Sequence, residues 1–242
     1  MSRLLRRLLE LEADVRYQEP AGECKSRAGC VRGEVPILLS APHGATHTRG
    51  GQPKEEEEFT AAMACLVADL TGSNALYTRR KSPTDPNWER AVPYKQRMRR
   101  LVEEKRVEFV LDLHGMAPER ELGIALGTMR GESCPKHRDA IVGVLEDHGF
   151  RRRGDSLDRL DVDVIFTARG LRGQETITSF AWRRLGVPCA QLEFHPALRV
   201  VERRADASLP RPYQGDFGRI RRAVQALVGI VEIVSSEGTL NV

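Results

Sequence analysis

Short apolar runs alternating with longer amphipathic ones constrain the fold of this chain more than any other feature. "VPILLSA" (35–41), "NALYT" (74–78), "VEFVLDL" (107–113), "LGIALG" (122–127) and "PCAQLEF" (188–194) each read as a buried strand. Between and after them, "EEFTAAMACLVADL" (57–70), "YKQRMRRLVEEK" (94–105), "HRDAIVGVLEDH" (137–148), "TITSFAWRRL" (176–185) and "DFGRIRRAVQALVGIVEIV" (216–234) carry helical spacing. In the first of these, Phe59, Met63, Leu66, Val67 and Leu70 share one face, and Gly72 can end the helix. The alternation predicts an α/β fold, with a mostly parallel, mixed central sheet and helices on both faces. At 242 residues and 40% hydrophobic content, one domain is expected. Segments 41–56, 79–92 and 151–175 remain as long loops, which in such domains are commonly functional.

Composition narrows the function. The net charge of +4 comes from 38 basic and 34 acidic residues, without a lysine-rich tail or an aromatic-interleaved basic stripe. No nucleic-acid partner is expected, and a small acidic substrate suits this balance. No apolar stretch approaches the ~20 residues of a membrane span, and the start lacks the apolar core of a secretory signal. The five cysteines are odd in number and scattered, so reduced thiols and a cytoplasmic location are expected. Cys24 and Cys30 are spaced to clip a loop or hold a metal, on spacing alone. The opening "MSRLLRRLLELEADV" is basic and amphipathic; it reads as a helix packed on the domain or at a dimer contact, with membrane-surface binding as the weaker alternative.

In open α/β sheets ligands bind beyond the carboxyl ends of the strands. "SAPHGATH" places His43 just past one strand, "DLHG" ends another with His114, and "QLEFHP" ends a late one with Glu193. Two imidazoles and a carboxylate therefore converge on one rim. Glycines after His43 and His114 would let backbone approach a bound group without a Cβ in the way. Asp112 lies on the same strand face as His114, where it either orients the imidazole or pairs with an arginine. His47 completes an H-x-x-x-H with His43, but the glycines of "PHGATHTRGG" rule out the helix such a pair needs. His137, His148 and His195 read as surface or packing residues, His195 being near enough to Glu193 to support it.

"LLSAPHG", "EEEFTAAM", "DPNWE", "LDLHG" and "AQLEFHP", in that order, resemble the N-formylglutamate amidohydrolase family, which is related in fold to the zinc carboxypeptidases. The likeness covers residues 35–200, between an N-terminal helix and lead-in (1–34) and a C-terminal helix (201–242). It implies one zinc ion per chain, held by His43, Glu57 and His114, with Glu193 as the catalytic carboxylate. Glu57 lies in a run of four glutamates, Glu58 being the next choice, and the family's glycine-rich substrate loop is matched only loosely by "ARGLRGQETITSF" (168–180). Two imidazoles, a carboxylate and an open position suit catalytic zinc.

"YTRRKSPTDPNWER" follows the second strand onto the same rim. Arg80 or Arg79 could pair with a substrate carboxylate or stabilise an oxyanion, Asn87 could read the substrate, and Thr178 is a further candidate contact. The expected function is zinc-dependent hydrolysis of an amide, in a small N-formyl or N-acyl amino acid or at a peptide C-terminus. The alternative is a non-catalytic relative that binds an anionic ligand or polymer through "RRRGD" and "VERRAD". Ester or phosphoester hydrolysis on the same metal is a third reading, disfavoured for phosphoesters by the single expected metal.

Overall fold

The apolar runs become the strands of a seven-stranded mixed sheet. The computed structural model describes residues 1–22, 26–154 and 156–239. Its strands are β1 (Arg16–Pro20), β2 (Ala28–Val31), β3 (Ile37–Ala41), β4 (His47–Arg49), β5 (Gln52–Lys54), β6 (Asn74–Thr78), β7 (Arg80–Lys81), β8 (Phe109–Gly115), β9 (Ile124–Gly127), β10 (Leu160–Val162) and β11 (Cys189–Phe194). The helices are α1 (Arg3–Glu12), α2 (Thr60–Thr71), α3 (Pro93–Lys105), α4 (Arg138–Asp147), α5 (Ile177–Phe180) and α6 (Phe217–Thr239). In space the main sheet runs β10-β9-β11-β8-β3-β6-β2. The four central strands β11, β8, β3 and β6 are mutually parallel, whereas β9 runs antiparallel to β11 and β2 to β6.

Strand periodicity sorts the side chains into two layers. Leu39, Phe109, Leu111, Leu113, Ala190 and Leu192 enter the larger core together with residues of α1, α2, α4 and α6. Leu38, Leu76, Val110 and Cys189 face the other way, against Tyr94, Met98 and Leu101 of α3 and Ile177 and Phe180 of α5. Each fully buried Leu, Val or Phe side chain contributes about 1.5–3 kcal/mol. On this second face the next positions along the strands are polar: Asp112 and His114 on β8, Gln191 and Glu193 on β11.

Several expectations need correction. The α2 run is buried almost all round from Thr60 to Ala68, being packed on the sheet, α1 and α6, and Leu70 is exposed rather than part of one apolar face. The stretch 176–185 is helical only over α5 and then widens into a π-turn, Ala181–Leu185. The three long loops are interrupted by the β4–β5 hairpin, β7 and β10. Helix α1 packs on α2 through buried Leu5 and Leu8, with Ser2 as its N-cap. No helix among the described residues is long and apolar enough to cross a membrane. Cys24 lies outside the described residues, and among the described residues Cys30, Cys65, Cys134 and Cys189 form no disulfide.

Candidate metal and catalytic centre

The acidic run before α2 separates by partner. Glu55 is exposed; Glu56 accepts from the Ser208 N–H and hydroxyl at 2.7 and 2.6 Å. Glu58 is buried on Arg203, whose Nε and Nη2 reach its Oε2 at 3.0 and 2.8 Å. Glu57 alone turns to the carboxyl ends of β3 and β8, its own N–H donating to the His43 carbonyl at 2.8 Å. Phe59 adopts a left-handed backbone (φ 64°) that tips the chain from this run into the helix, and its N–H donates to the buried Glu12 carboxylate of α1 at 2.7 Å.

Glu57 stands between the two imidazoles. Its Oε1 lies 2.7 Å from His43 Nδ1 and its Oε2 3.1 Å from His114 Nδ1, while the Gly115 N–H donates to Oε2 at 2.9 Å. The far nitrogen of each ring is also held: His43 Nε2 by Asp85 at 2.8 Å and His114 Nε2 by Asp112 at 2.9 Å. Burial alone would push both imidazoles down. Glu57 and Asp85 outweigh it for His43 and hold that ring up at about 9, and Asp112 with Glu57 raises His114 well above the usual range. Burial opposes ionisation of Glu57 too, but the two histidines hold it well below the ordinary carboxylate value.

These groups fit a divalent ion. One donor atom from each of His43, Glu57 and His114 lies within 4.8 Å of the others. Aspartates on both Nε2 atoms leave the two Nδ1 atoms as the coordinating pair and fix the ring planes. A dication would also replace, at equal charge, the two imidazolium protons that face Glu57. A second cluster of His43, His47 and Asp85 meets the same distance criterion. In it, however, the His47 ring stacks flat on His43 (4.1 Å, 5°), so their in-plane lone pairs do not converge on one point.

Glu193 joins the site through sheet register. On β11 it pairs with His114 of β8, and Gln191 pairs with Asp112. The Gln191 amide donates to Glu193 Oε1 at 2.8 Å, and burial pushes the Glu193 carboxyl up to about 7. Both residues line a cavity of about 480 Å³ shared with His43, Glu57 and His114.

The substrate contacts read from sequence fare unevenly. Asn87 lines the cavity, and its side-chain carbonyl accepts from the Ile177 N–H at 2.8 Å, pinning α5 to the rim. Arg79 and Arg80 do not line it: β7 pairs with β1, which draws Arg79 to Asp14 and Arg80 to Glu19. Arg49 and Arg120 line it instead. Thr178 is fully buried beside Cys189, and Thr176 lines the cavity in its place. His195 turns to the Pro118 carbonyl at 3.0 Å and the Ala197 N–H at 3.1 Å, with no hydrogen bond to Glu193. Gly44 and Gly115 make room for the protein rather than for a ligand. A Cβ on Gly44 would meet the Thr78 carbonyl at 2.7 Å, and one on Gly115 would meet the Arg199 guanidinium at 2.7 Å. Arg203 and Arg204 of "VERRAD" bond Glu58 and the Glu12 and Val15 carbonyls, so neither is free to form a polymer-binding surface.

Sequence reasoning missed Asp85, Arg49, Arg120 and Gln191. Gln191 was within reach, two residues before Glu193 on the same strand face. Asp85 and Arg120 sit in irregular segments, and Arg49 ends the three-residue strand β4, too short for a period to show.

No protein-family model and no curated protein matches the chain. Among solved structures, a bacteriophage poly-gamma-glutamate hydrolase is 15% identical with a TM-score of 0.51, over 90% of this chain and 93% of that one. A metallo-carboxypeptidase from Pseudomonas aeruginosa is 13% identical with a TM-score of 0.46, over 97% of this chain and 67% of that one. A metallo-carboxypeptidase from Burkholderia cenocepacia is 11% identical with a TM-score of 0.45, over 98% and 68%. At 15% identity the likeness to the phage enzyme is one of fold.

Proposed function

We propose that the chain is a zinc-dependent hydrolase of amide bonds in small N-acyl amino acids or peptide C-termini. The observation that carries this reading is the convergence of His43, Glu57 and His114 beside Glu193 in one cavity. His43, Glu57 and His114 would hold one zinc ion, which supplies charge to polarise a carbonyl and to acidify water. Asp85 and Asp112 keep both imidazoles oriented. Glu193 accepts the proton of the attacking water and returns it to the leaving nitrogen. Gln191 occupies its Oε1, so Oε2 is the oxygen that exchanges the proton. Burial holds the Glu193 carboxyl up to about 7 against the positive charge at His114 and His43, near the working range of a base that takes and returns a proton at neutral pH.

Arg120 suits an anionic substrate group: it lines the cavity and has no ion pair among the described residues. Arg49 is fixed by Asp85 and lies over the Trp88 ring at 5.2 Å, positioned for the developing oxyanion.

The test combines metal analysis of purified protein with a screen of N-formyl and N-acyl amino acids. One zinc per chain is expected. Glu193→Gln should keep the metal and lower kcat by about 10²–10⁴-fold, and His114→Ala should lose metal and turnover together. Full activity after rigorous chelation would overturn the reading.

A further inference from the structure

The loop from β10 to α5 carries an apolar rim that its own backbone holds in water. Among the described residues the exposed large apolar side chains are Met1, Leu70, Val164, Ile165 and Leu171, and three of these five belong to this loop. Scattered exposed apolar residues are ordinary; a cluster beside a cavity is not. Looseness does not account for it. Asp161 Oδ2 accepts from the N–H groups of Ile165 at 2.9 Å and Val164 at 3.3 Å. Asp163, itself left-handed (φ 58°), accepts from the Thr128 and Arg130 N–H groups at 2.7 and 3.0 Å. Farther along, the Leu171 N–H donates to Gln174 Oε1 at 2.9 Å, and the Thr176 hydroxyl to the Ala168 carbonyl at 2.6 Å. These bonds tie down both turns with the side chains of Val164, Ile165 and Leu171 in solvent.

Ile165, Phe166 and Leu171 are also walls of the cavity that holds His43, Glu57, His114 and Glu193, and Met116 continues the apolar lining. The guanidinium of Arg120 lies over the Phe166 ring at 5.2 Å. An arginine without an ion pair among the described residues thus adjoins apolar residues in the wall of the cavity that holds the reacting groups. We propose that this rim is a subsite for the apolar chain of an amphiphilic carboxylate, so that the substrate class is amino acids acylated with a chain of about six or more carbons. The identification of the chain as part of the substrate rests on the hydrolase reading above; the subsite itself does not.

Binding of straight-chain carboxylates to the zinc-saturated protein, followed by calorimetry, tests the subsite without turnover. The dissociation constant should fall about tenfold from hexanoate to decanoate, about half the free energy of fully burying the added methylenes. The double variant Ile165→Ser/Leu171→Ser should reduce that gain to less than about threefold while its unfolding midpoint stays unchanged. Arg120→Ala should weaken every member of the series by a similar factor. A flat series, or a slope the double variant leaves intact, overturns the proposal. So does a dimer that the double variant dissociates and decanoate does not affect, because a second copy would then cover the rim. Chain-dependent binding without hydrolysis of any acyl amino acid would sink the substrate identification and leave the subsite standing. Hydrolysis with equal kcat/KM at every chain length and flat binding would sink the subsite alone.

Discussion

Between Glu55 and Glu58 each carboxylate has a different environment, and neighbouring substitutions should therefore have different consequences. Glu57→Gln removes the acid between two imidazoles and should abolish metal binding, and with it any stabilisation of the fold by zinc. Glu58→Gln leaves Arg203 buried without its counter-ion and should cost about 3–5 kcal/mol in denaturant unfolding while metal is still bound. Glu12 supplies the pH test. Burial pushes its carboxyl up to about 7 against the hydrogen bonds from Tyr17 and Phe59 that oppose the shift. Between about 4.5 and 7 the folded state then holds a proton there that the unfolded chain has lost. Stability contributed by this group is complete below that window, falls as pH rises through it, and is level above. Glu12→Gln keeps an acceptor for Phe59 without the charge, so at pH 8 it should stabilise the protein by roughly 1–3 kcal/mol and flatten this part of the profile. Unfolding at pH 4 and pH 8, compared between wild type and variant, checks the sign.

At the scale of elements, the segments that mattered most were legible because they obey a period. Continuous apolar runs mark β3, β6, β8, β9 and β11, and His43, His114 and Glu193 follow from asking what stands at the carboxyl ends of three of them. β1 and β2, with "RYQEP" and "AGCV", carry no such run, since β1 is largely exposed and β2 is an edge strand. Arg79 and Arg80 were misassigned because strand order says where a side chain starts and not which nearby acid claims it; β1, unseen in the sequence, supplies that acid for Arg80. The loop after β3 is equally a matter of packing. Gly44 passes between the Thr78 carbonyl and the Ala61 methyl, which a Cβ would meet at 2.7 and 2.9 Å. Gly44→Ala should therefore displace His43, costing about 1–3 kcal/mol of stability and weakening metal affinity in the same variant. A variant with normal metal affinity would show that the loop has slack that its contacts do not suggest.

For the molecule as a whole, a metal held by residues from a loop, a pre-helical turn and a strand must stabilise the fold it bridges. Zinc at about 100 times its dissociation constant should add about 2.7 kcal/mol, which for a chain of this size is a rise in Tm of roughly 5–10 °C. His114→Ala should remove that rise, and its persistence would place the ion elsewhere. The pairing of β11 with β8 carries one last consequence. Side chains alternate faces along a strand, so moving β11 by a single position would bring Leu192 or Phe194 beside His114 and bury Glu193 among the residues under α2 and α6. The cost of burying that carboxylate fixes the register, so the contact that completes the site is also one that the fold cannot shift without unfolding.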